Sequence, residues 1–370
     1  MDQDKAASAP LAQFTDREEK LQRKAAEIYS WRKNIGLEGL VKGLDSVIIN
    51  TEPQFQAQAV QELLSYTGYY MTAAFQTSNQ RTCVLQLQGS ADLLITARRT
   101  TENPFLSFNR FPKSQHIPHT RLETFVFQTT NLKEYVSIQQ SVGVIFATDT
   151  IQHEDHFSFI QTLPSPYTGN SIGFIEWKHN TGHYGSSSKQ TLDWGFAKPE
   201  KDYLTHIGKL DHAATRVRAQ DREAAILEFA TLTNYNFDFA IYVDAYNSIT
   251  NATRLSKTDF ALVFTSGISP YINDIASGPT EKFIQNYGTR VHHLAFETKP
   301  IEDTYNALKG DGMTFLIELI GSRDEGLKQT FTTPSTSTLL VTEYIRRYNG
   351  FDGFFTKSNV TRLTQATQKQ

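Results

Sequence analysis

The chain repeats itself at a period of nearly half its length, and such a repeat constrains the fold because each copy must build the same supersecondary unit. The stretch "GLDSVIINT" at 43–51, a helical pattern over 54–68 and a strand pattern over 69–76 return later. They reappear as "KLDHAATRV" at 209–217, "DREAAILEFATLTN" at 221–234 and "FDFAIYV" at 237–243. Ser46 then lies on His212, 166 residues on. "RLETFVFQTTNL" lies on "RVHHLAFETKPI", placing Thr124 on His293 at an offset of 169. "NSIGFIEWKH" lies on "TLLVTEYIRR", placing Glu176 on Glu343 at an offset of 167. Offsets this close point to a duplication.

Each copy consists of short strand-type runs with interspersed helical patterns, strands outnumbering helices. The order is not a strict β-α-β alternation, and no glycine-rich phosphate loop follows any strand. A doubly wound nucleotide-binding sheet is therefore excluded. Ahead of the first copy, "TDREEKLQRKAAEIYSWRKNIG" reads as an amphipathic helix, with Thr15 and Glu18 as a capping box and Gly36 at its end. The polar run "SSSKQTLDWGFAKPEKDY", Ser186 to Tyr203, reads as the linker between copies. The expected organisation is a helical extension over 1–40, a first domain over 41–185, a linker over 186–205 and a second domain over 206–370.

With 370 residues the chain is long enough for two ordinary domains or one large one, and 39% apolar content is sufficient for real cores. Net charge is −3, the pI is about 6.4, and Lys and Arg are scattered, so neither nucleic acid nor a membrane surface is an expected partner. One cysteine, Cys83, allows no internal disulfide and no cysteine-cluster metal site. The opening "MDQDKAASAP" lacks the basic and apolar regions of a signal peptide, and no apolar run approaches the roughly 18–20 residues that span a bilayer. A cytoplasmic protein is expected.

At the three matched positions the first copy holds Ser46, Thr124 and Glu176, and the second holds His212, His293 and Glu343. Two imidazoles and a carboxylate from three strands are the composition of the facial triad that binds non-haem Fe(II) and leaves positions open. Side chains alternate along a strand, so His292 and His293 are expected on opposite faces. Ala214 and Ala295, each two residues past a histidine, leave room for a ligand, whereas Ile48 and Val126 fill the first copy. A single strand histidine is most often a hydrogen-bonded core or surface residue, and most of the ten must be that. "HEDH" at 153–156 has helix-face spacing in a loop and strand setting and is not expected to bind metal.

The second copy resembles the 4-hydroxyphenylpyruvate dioxygenase family of the vicinal oxygen chelate superfamily. The resemblance rests on "KLDHAA", "FIQNYGTRVHHLAFETKPIEDTYNALKGDGMTFL", "LKQTFTTP" and "LLVTEYIRRYNGFDGFF", in that order, and extends from about residue 41 to 367. It implies an α+β fold of two tandem domains of paired βαβββ modules forming open barrels, with the metal site in the C-terminal one and a C-terminal gating helix. It implies Fe(II) on His212, His293 and Glu343, with Gln329 as the pocket glutamine. Phe331, Phe351, Phe354 and Phe355 would cover the substrate ring, and Ser256 and Asn273 would form the polar wall. The implied reaction uses O2 to decarboxylate and hydroxylate a 2-oxo acid, with conversion of 4-hydroxyphenylpyruvate to homogentisate as the nearest case, in aromatic amino acid metabolism. A homo-oligomer, dimer or tetramer, is expected.

This sequence departs from the family at the substrate end. His292 stands where glutamine is usual, the loop between Asn273 and His293 is shorter, and the gate reads "GFDGFF". Chemistry retained with altered specificity is the pattern expected from such changes. The alternatives are 4-hydroxymandelate synthase-like benzylic hydroxylation, another 2-oxo acid, or a non-catalytic binding barrel.

Overall fold

The computed structural model describes residues 8–179 and 181–370, with side chains from Arg17 onward. The N-terminal helix α1 (Ser8–Asn34) starts before the expected cap, so Thr15 lies inside it; the side chain of Thr15 is outside the described residues. Gly36 follows at φ 79°, a left-handed conformation that glycine adopts without strain, and the chain leaves the helix there.

Four βαβββ units follow. The first is β1 (Val41–Thr51), α2 (Gln56–Tyr66), β2 (Tyr70–Gln76), β3 (Gln80–Gln86) and β4 (Asp92–Arg98). The second is β5 (Arg121–Thr129), α3 (Leu132–Ser141), β6 (Gln152–His153), β7 (Phe157–Gln161) and β8 (Ser171–Trp177). A short β9 (Gln190–Thr191) then pairs with β2. The third unit is β10 (Ile207–Arg216), α4 (Arg222–Leu232), β11 (Asn236–Val243), β12 (Ser248–Arg254) and β13 (Ala261–Ser266). Helix α5 (Gly278–Tyr287) leads to the fourth: β14 (Arg290–Thr298), α6 (Ile301–Gly310), β15 (Ile320–Ser322), β16 (Leu327–Phe331) and β17 (Val341–Arg347), closed by α7 (Lys357–Ala366).

In both halves the leading strands of the two units pair antiparallel at the centre, β1 with β5 and β10 with β14. The orders β6-β7-β8-β5-β1-β4-β3-β2-β9 and β11-β12-β13-β10-β14-β17-β16-β15 run over the same plan apart from β9. The fold is thus two tandem vicinal-oxygen-chelate domains, each an open half-barrel, with the metal-ligating group in the second.

Register corrects one equivalence. Ile48 faces Thr124 as Ala214 faces His293, so two of the sequence matches stand in space. Glu343, however, sits opposite Ala295, and the residue opposite the matching Val126 is Gly173, not Glu176. The ladder sets the offset of these strands at 170 (343 − 173), one more than the 169 of β5 and β14 (295 − 126), where the letters suggest 167. Glu176 instead accepts the Leu132 N–H at 2.7 Å at the start of α3. A side chain at Gly173 would meet Phe159, Thr124 and Val126 at 3.0–3.1 Å, so the first half-barrel is packed where the second carries its carboxylate.

The halves meet through a reciprocal contact. Arg121 Nη2 donates to Thr289 O at 2.9 Å, and Arg290 Nη2 donates to Thr120 O at 2.7 Å. A pair of contacts that exchange roles is the mark of a two-fold relation, here between duplicated halves of one chain. Phe127 of β5 packs on Phe229 and Tyr235 of the second half, with ring centroids 5.7 and 5.2 Å apart. Helix α1 docks on the far half as well, Arg32 Nη1 donating to the carbonyls of Ala230, Thr233 and Tyr235 at the end of α4. Among the described residues no helix is long and apolar enough to cross a membrane.

Candidate metal centre

Three neighbouring strands supply the three side chains. β10 carries His212, β14 carries His293 and β17 carries Glu343, and their ligand atoms lie within 4.8 Å of one another. His212 and Glu343 are fully buried and His293 is 5% exposed. Glu343 Oε2 stands 3.2 Å from Nε2 of each histidine. Yet none of these three buried atoms has a hydrogen bond of acceptable geometry. Unpartnered buried polar atoms carry a large desolvation penalty, and three converging on one point are what a cation would satisfy. Ligand bonds of about 2.1 Å meeting near right angles put donor atoms about 3.0 Å apart, close to the spacing seen.

The remaining ring nitrogens are taken up in a way that aims each Nε2 lone pair inward. His212 Nδ1 is 2.7 Å from Asp211 Oδ1, and Asp211 is clamped by Arg347 at 2.5 and 2.9 Å. His293 Nδ1 is 2.9 Å from His292 Nδ1, and His292 Nε2 is 2.9 Å from Gln370 Oε1. With a metal on His293 Nε2 the protons have only one consistent order: His293 Nδ1–H donates to His292, and His292 Nε2–H donates to Gln370. The donor set therefore fits a divalent metal and its supporting hydrogen bonds.

Electrostatics differ between the two histidines. Burial pushes the pKa of His293 well below its ordinary value, reinforced by His292, His212 and Arg216. Burial also opposes protonation of His212, but the Glu343 and Asp211 carboxylates outweigh it and raise the value to about 9. A cation among these groups would compete with that proton.

His292 departs from expectation. Strand alternation would send it to the opposite face from His293, but Ala214 pairs with His293 and Thr215 with Val291, leaving His292 as an extra residue in a β-bulge. The bulge turns both rings to the same side, where His292 is 2% exposed. The first half has the same irregularity, with Glu123 as the extra residue.

Gln329 Nε2 donates to Glu343 Oε1 at 2.6 Å and to Phe354 O at 2.8 Å, while its Oε1 accepts from Asn359 on α7 at 3.1 Å. This glutamine orients the carboxylate and ties α7 to it. Phe331 lies 4.8 Å from the His293 ring, and Phe354 and Phe355 lie 5.3 and 5.6 Å from His212. Phe351 packs instead with Ala295, Leu327 and Ile345. Ser256 and Asn273 are not brought to the triad. Both are exposed in turns, Ser256 bonded to Thr258 and Asn273 Oδ1 accepting from Ile275 and Ala276 N–H. "HEDH" lies at the edge of the first sheet, His153 bonded to Ser158, and joins no metal-ligating group.

A small cavity of about 40 Å³ is lined by His293, Ala214, Phe331, Phe355, Arg216 and a set of threonines. Sequence reasoning missed Arg216, Thr250 and Thr265. The alternation that selected Ala214 would have reached Arg216 two residues later. Larger clefts, of about 860 Å³ beside Trp194 and about 480 Å³ between the halves, contain no metal-ligating cluster among the described residues.

No family model and no curated protein matches the chain. Among solved structures it is similar to a triple mutant of 4-hydroxymandelate synthase from Streptomyces coelicolor. That match has 15% identity and a TM-score of 0.66, covering 89% of this chain and 98% of that one. It is also similar to a xylose isomerase-like TIM barrel/4-hydroxyphenylpyruvate dioxygenase fusion protein, at 15% identity and a TM-score of 0.61, covering 89% of this chain and 52% of that one. At such identity the likeness is one of fold.

Proposed function

We propose that this chain is a non-haem Fe(II)-dependent dioxygenase that uses O2 to decarboxylate and hydroxylate a 2-oxo acid other than 4-hydroxyphenylpyruvate. The observation that carries this reading is the convergence of three buried, unbonded ligand atoms from two imidazoles and one carboxylate. Iron held there would chelate the acid through its carboxylate and keto oxygens and supply electrons to O2.

The chain's own groups do the positioning. Asp211 and His292 hold the two imidazoles in the required tautomer, and Gln329 occupies one oxygen of Glu343 so that the other points inward. Phe331, Phe354 and Phe355 keep water from the centre. Helix α7 lines the cavity with Val360 and Leu363 and is bonded to Gln329 through Asn359, so its movement would admit substrate.

The surface positions of Ser256 and Asn273 support altered specificity, because a site that binds a phenolic hydroxyl needs buried partners for it. Benzylic hydroxylation, in the manner of 4-hydroxymandelate synthase, is a second reading favoured by the match along nearly all of that enzyme's chain. A non-catalytic barrel has no evident use for three unbonded ligand atoms.

Protein purified without oxygen under iron-replete conditions should contain about one iron per chain. It should then consume O2 and release CO2 with some member of a panel of aryl and alkyl 2-oxo acids. Absence of iron would favour the binding barrel. Homogentisate formed at tens of turnovers per second, with no competing acid close, would restore 4-hydroxyphenylpyruvate as substrate.

A further inference from the structure

His212, Ala214 and Arg216 occupy alternate positions of β10 and share its inner face. At about 3.3 Å per residue, Arg216 stands roughly 13 Å along the strand from His212. It is 4% exposed. Its guanidinium lies 4.4 Å from the centre of the Phe283 ring, and Nη1 donates to Pro279 O at 3.4 Å. Its other N–H groups have no acceptor among the described residues. Burial lowers its pKa to about 9 with no carboxylate opposing the shift, so it is cationic at neutral pH. The acid on adjacent α5, Glu281, is held by the N–H groups of Gly267 and Ala219 instead.

A buried cation is normally paired, because leaving one without a counter-charge is costly. Here the wall facing Arg216 presents Thr250 from β12, Thr265 from β13 and Thr364 from α7, whose hydroxyls form no hydrogen bond within the described protein. Five guanidinium donors, mostly unused, and three free hydroxyls make an anion-binding region in a cavity that His293 also lines. Phe331 and Phe355 line the same cavity, whose small volume of about 40 Å³ suits a slender chain better than a ring.

We propose that Arg216, with Thr250, Thr265 and Thr364, binds a carboxylate at the far end of the substrate, making that substrate an aliphatic 2-oxo dicarboxylic acid. The 2-oxo head rests on the function proposed above; the anion site does not.

The test uses the full chain in two states. In the first, Fe(II)-loaded protein without O2 is titrated with 2-oxoadipate and with 2-oxohexanoate, which differ only by the distal carboxylate, following the visible band of the iron–2-oxo acid chelate. Wild type should bind 2-oxoadipate more tightly by about tenfold or more, the usual worth of a charge-assisted hydrogen bond. Arg216→Met should bring the two affinities together while iron content and 2-oxohexanoate binding stay unchanged, and Arg216→Lys should keep part of the preference. Equal affinities in wild type, a comparison that needs no variant, would overturn the proposal, as would a preference that survives Arg216→Met.

In the second, metal-free protein is titrated calorimetrically with glutarate and with inorganic phosphate. Binding of glutarate by wild type and not by Arg216→Met supports the site, and binding of phosphate alone overturns the carboxylate assignment. If glutarate binds through Arg216 while no 2-oxo acid perturbs the iron, the function reading fails and the anion site stands. If 2-oxo acids bind the iron regardless of a second carboxylate, the reverse holds.

Discussion

His293 can aim its Nε2 at Glu343 because His292, forced inward by the bulge, occupies the other ring nitrogen. On the proposed function the pair therefore has distinct duties, ligand and support. His293→Ala and Glu343→Ala should each abolish iron binding at micromolar metal with the thermal transition preserved, since the barrel's packing is supplied elsewhere. His292→Ala should still take up iron, with affinity lowered by about 10–100-fold, the usual effect of losing a ligand's hydrogen-bond partner. Iron titrations of the three variants by metal analysis and circular dichroism decide the point. Loss of iron in His292→Ala with retention in His293→Ala would reverse the assignment.

Strands that share a plan differ in what they carry to the same place. Gly173 occupies in β8 the position of Glu343 in β17, and the Phe159 ring lies over it. Ser46 and Thr124, in the positions of the two histidine ligands, have no carboxylate to share a metal with; Thr124 Oγ1 donates to Gln161 instead. Ser46→Ala and Thr124→Val should accordingly leave iron content unchanged and turnover within a few fold of wild type; loss of all activity at unchanged stability would place the working site in the first half. Helix α1 contributes a cap rather than chemistry. Arg32→Met would strand the carbonyls of Ala230, Thr233 and Tyr235 and should destabilise the protein by about 3–5 kcal/mol, measured by denaturant unfolding. A change below about 1 kcal/mol would mean that water replaces the guanidinium there.

The two halves share one apolar core, in which Leu21 and Leu37, Phe127 and Phe174, and Phe229, Phe264 and Phe296 belong to a single cluster. Arg121 and Arg290 cross between the halves with their charges buried, each relying on a carbonyl of the opposite half. Residues 206–370 expressed alone would expose Phe229 and Tyr235, leave Arg290 without the Thr120 carbonyl, and lose the α1 cap on α4. That fragment should lack a cooperative thermal transition and near-UV circular dichroism, although it contains all three metal ligands. A sharp transition in the isolated fragment would show that the half carrying the triad is self-sufficient.

Periodicity and the repeat were enough to determine two copies built of short strands and interspersed helices, because alternation of apolar residues and strand–helix order are local properties carried by each copy; the βαβββ grouping came only with the family resemblance. The contrast between Ser46 and Thr124 on one side and His212 and His293 on the other was equally legible, since a ligand must be a particular residue type wherever it sits. Glu343 was found as a member of the triad, but its partner in the repeat was not, because the letters align on two glutamates and only the ladder reveals Gly173, three residues before Glu176. The side to which His292 turns depended on one extra residue in β14, a matter of pairing with β10 and not of composition. Whether Ser256 or Asn273 reaches the cavity depended on where the chain turns out to solvent after β12 and after β13. Those are contacts between segments far apart in the chain, and only the assembled sheet decides them.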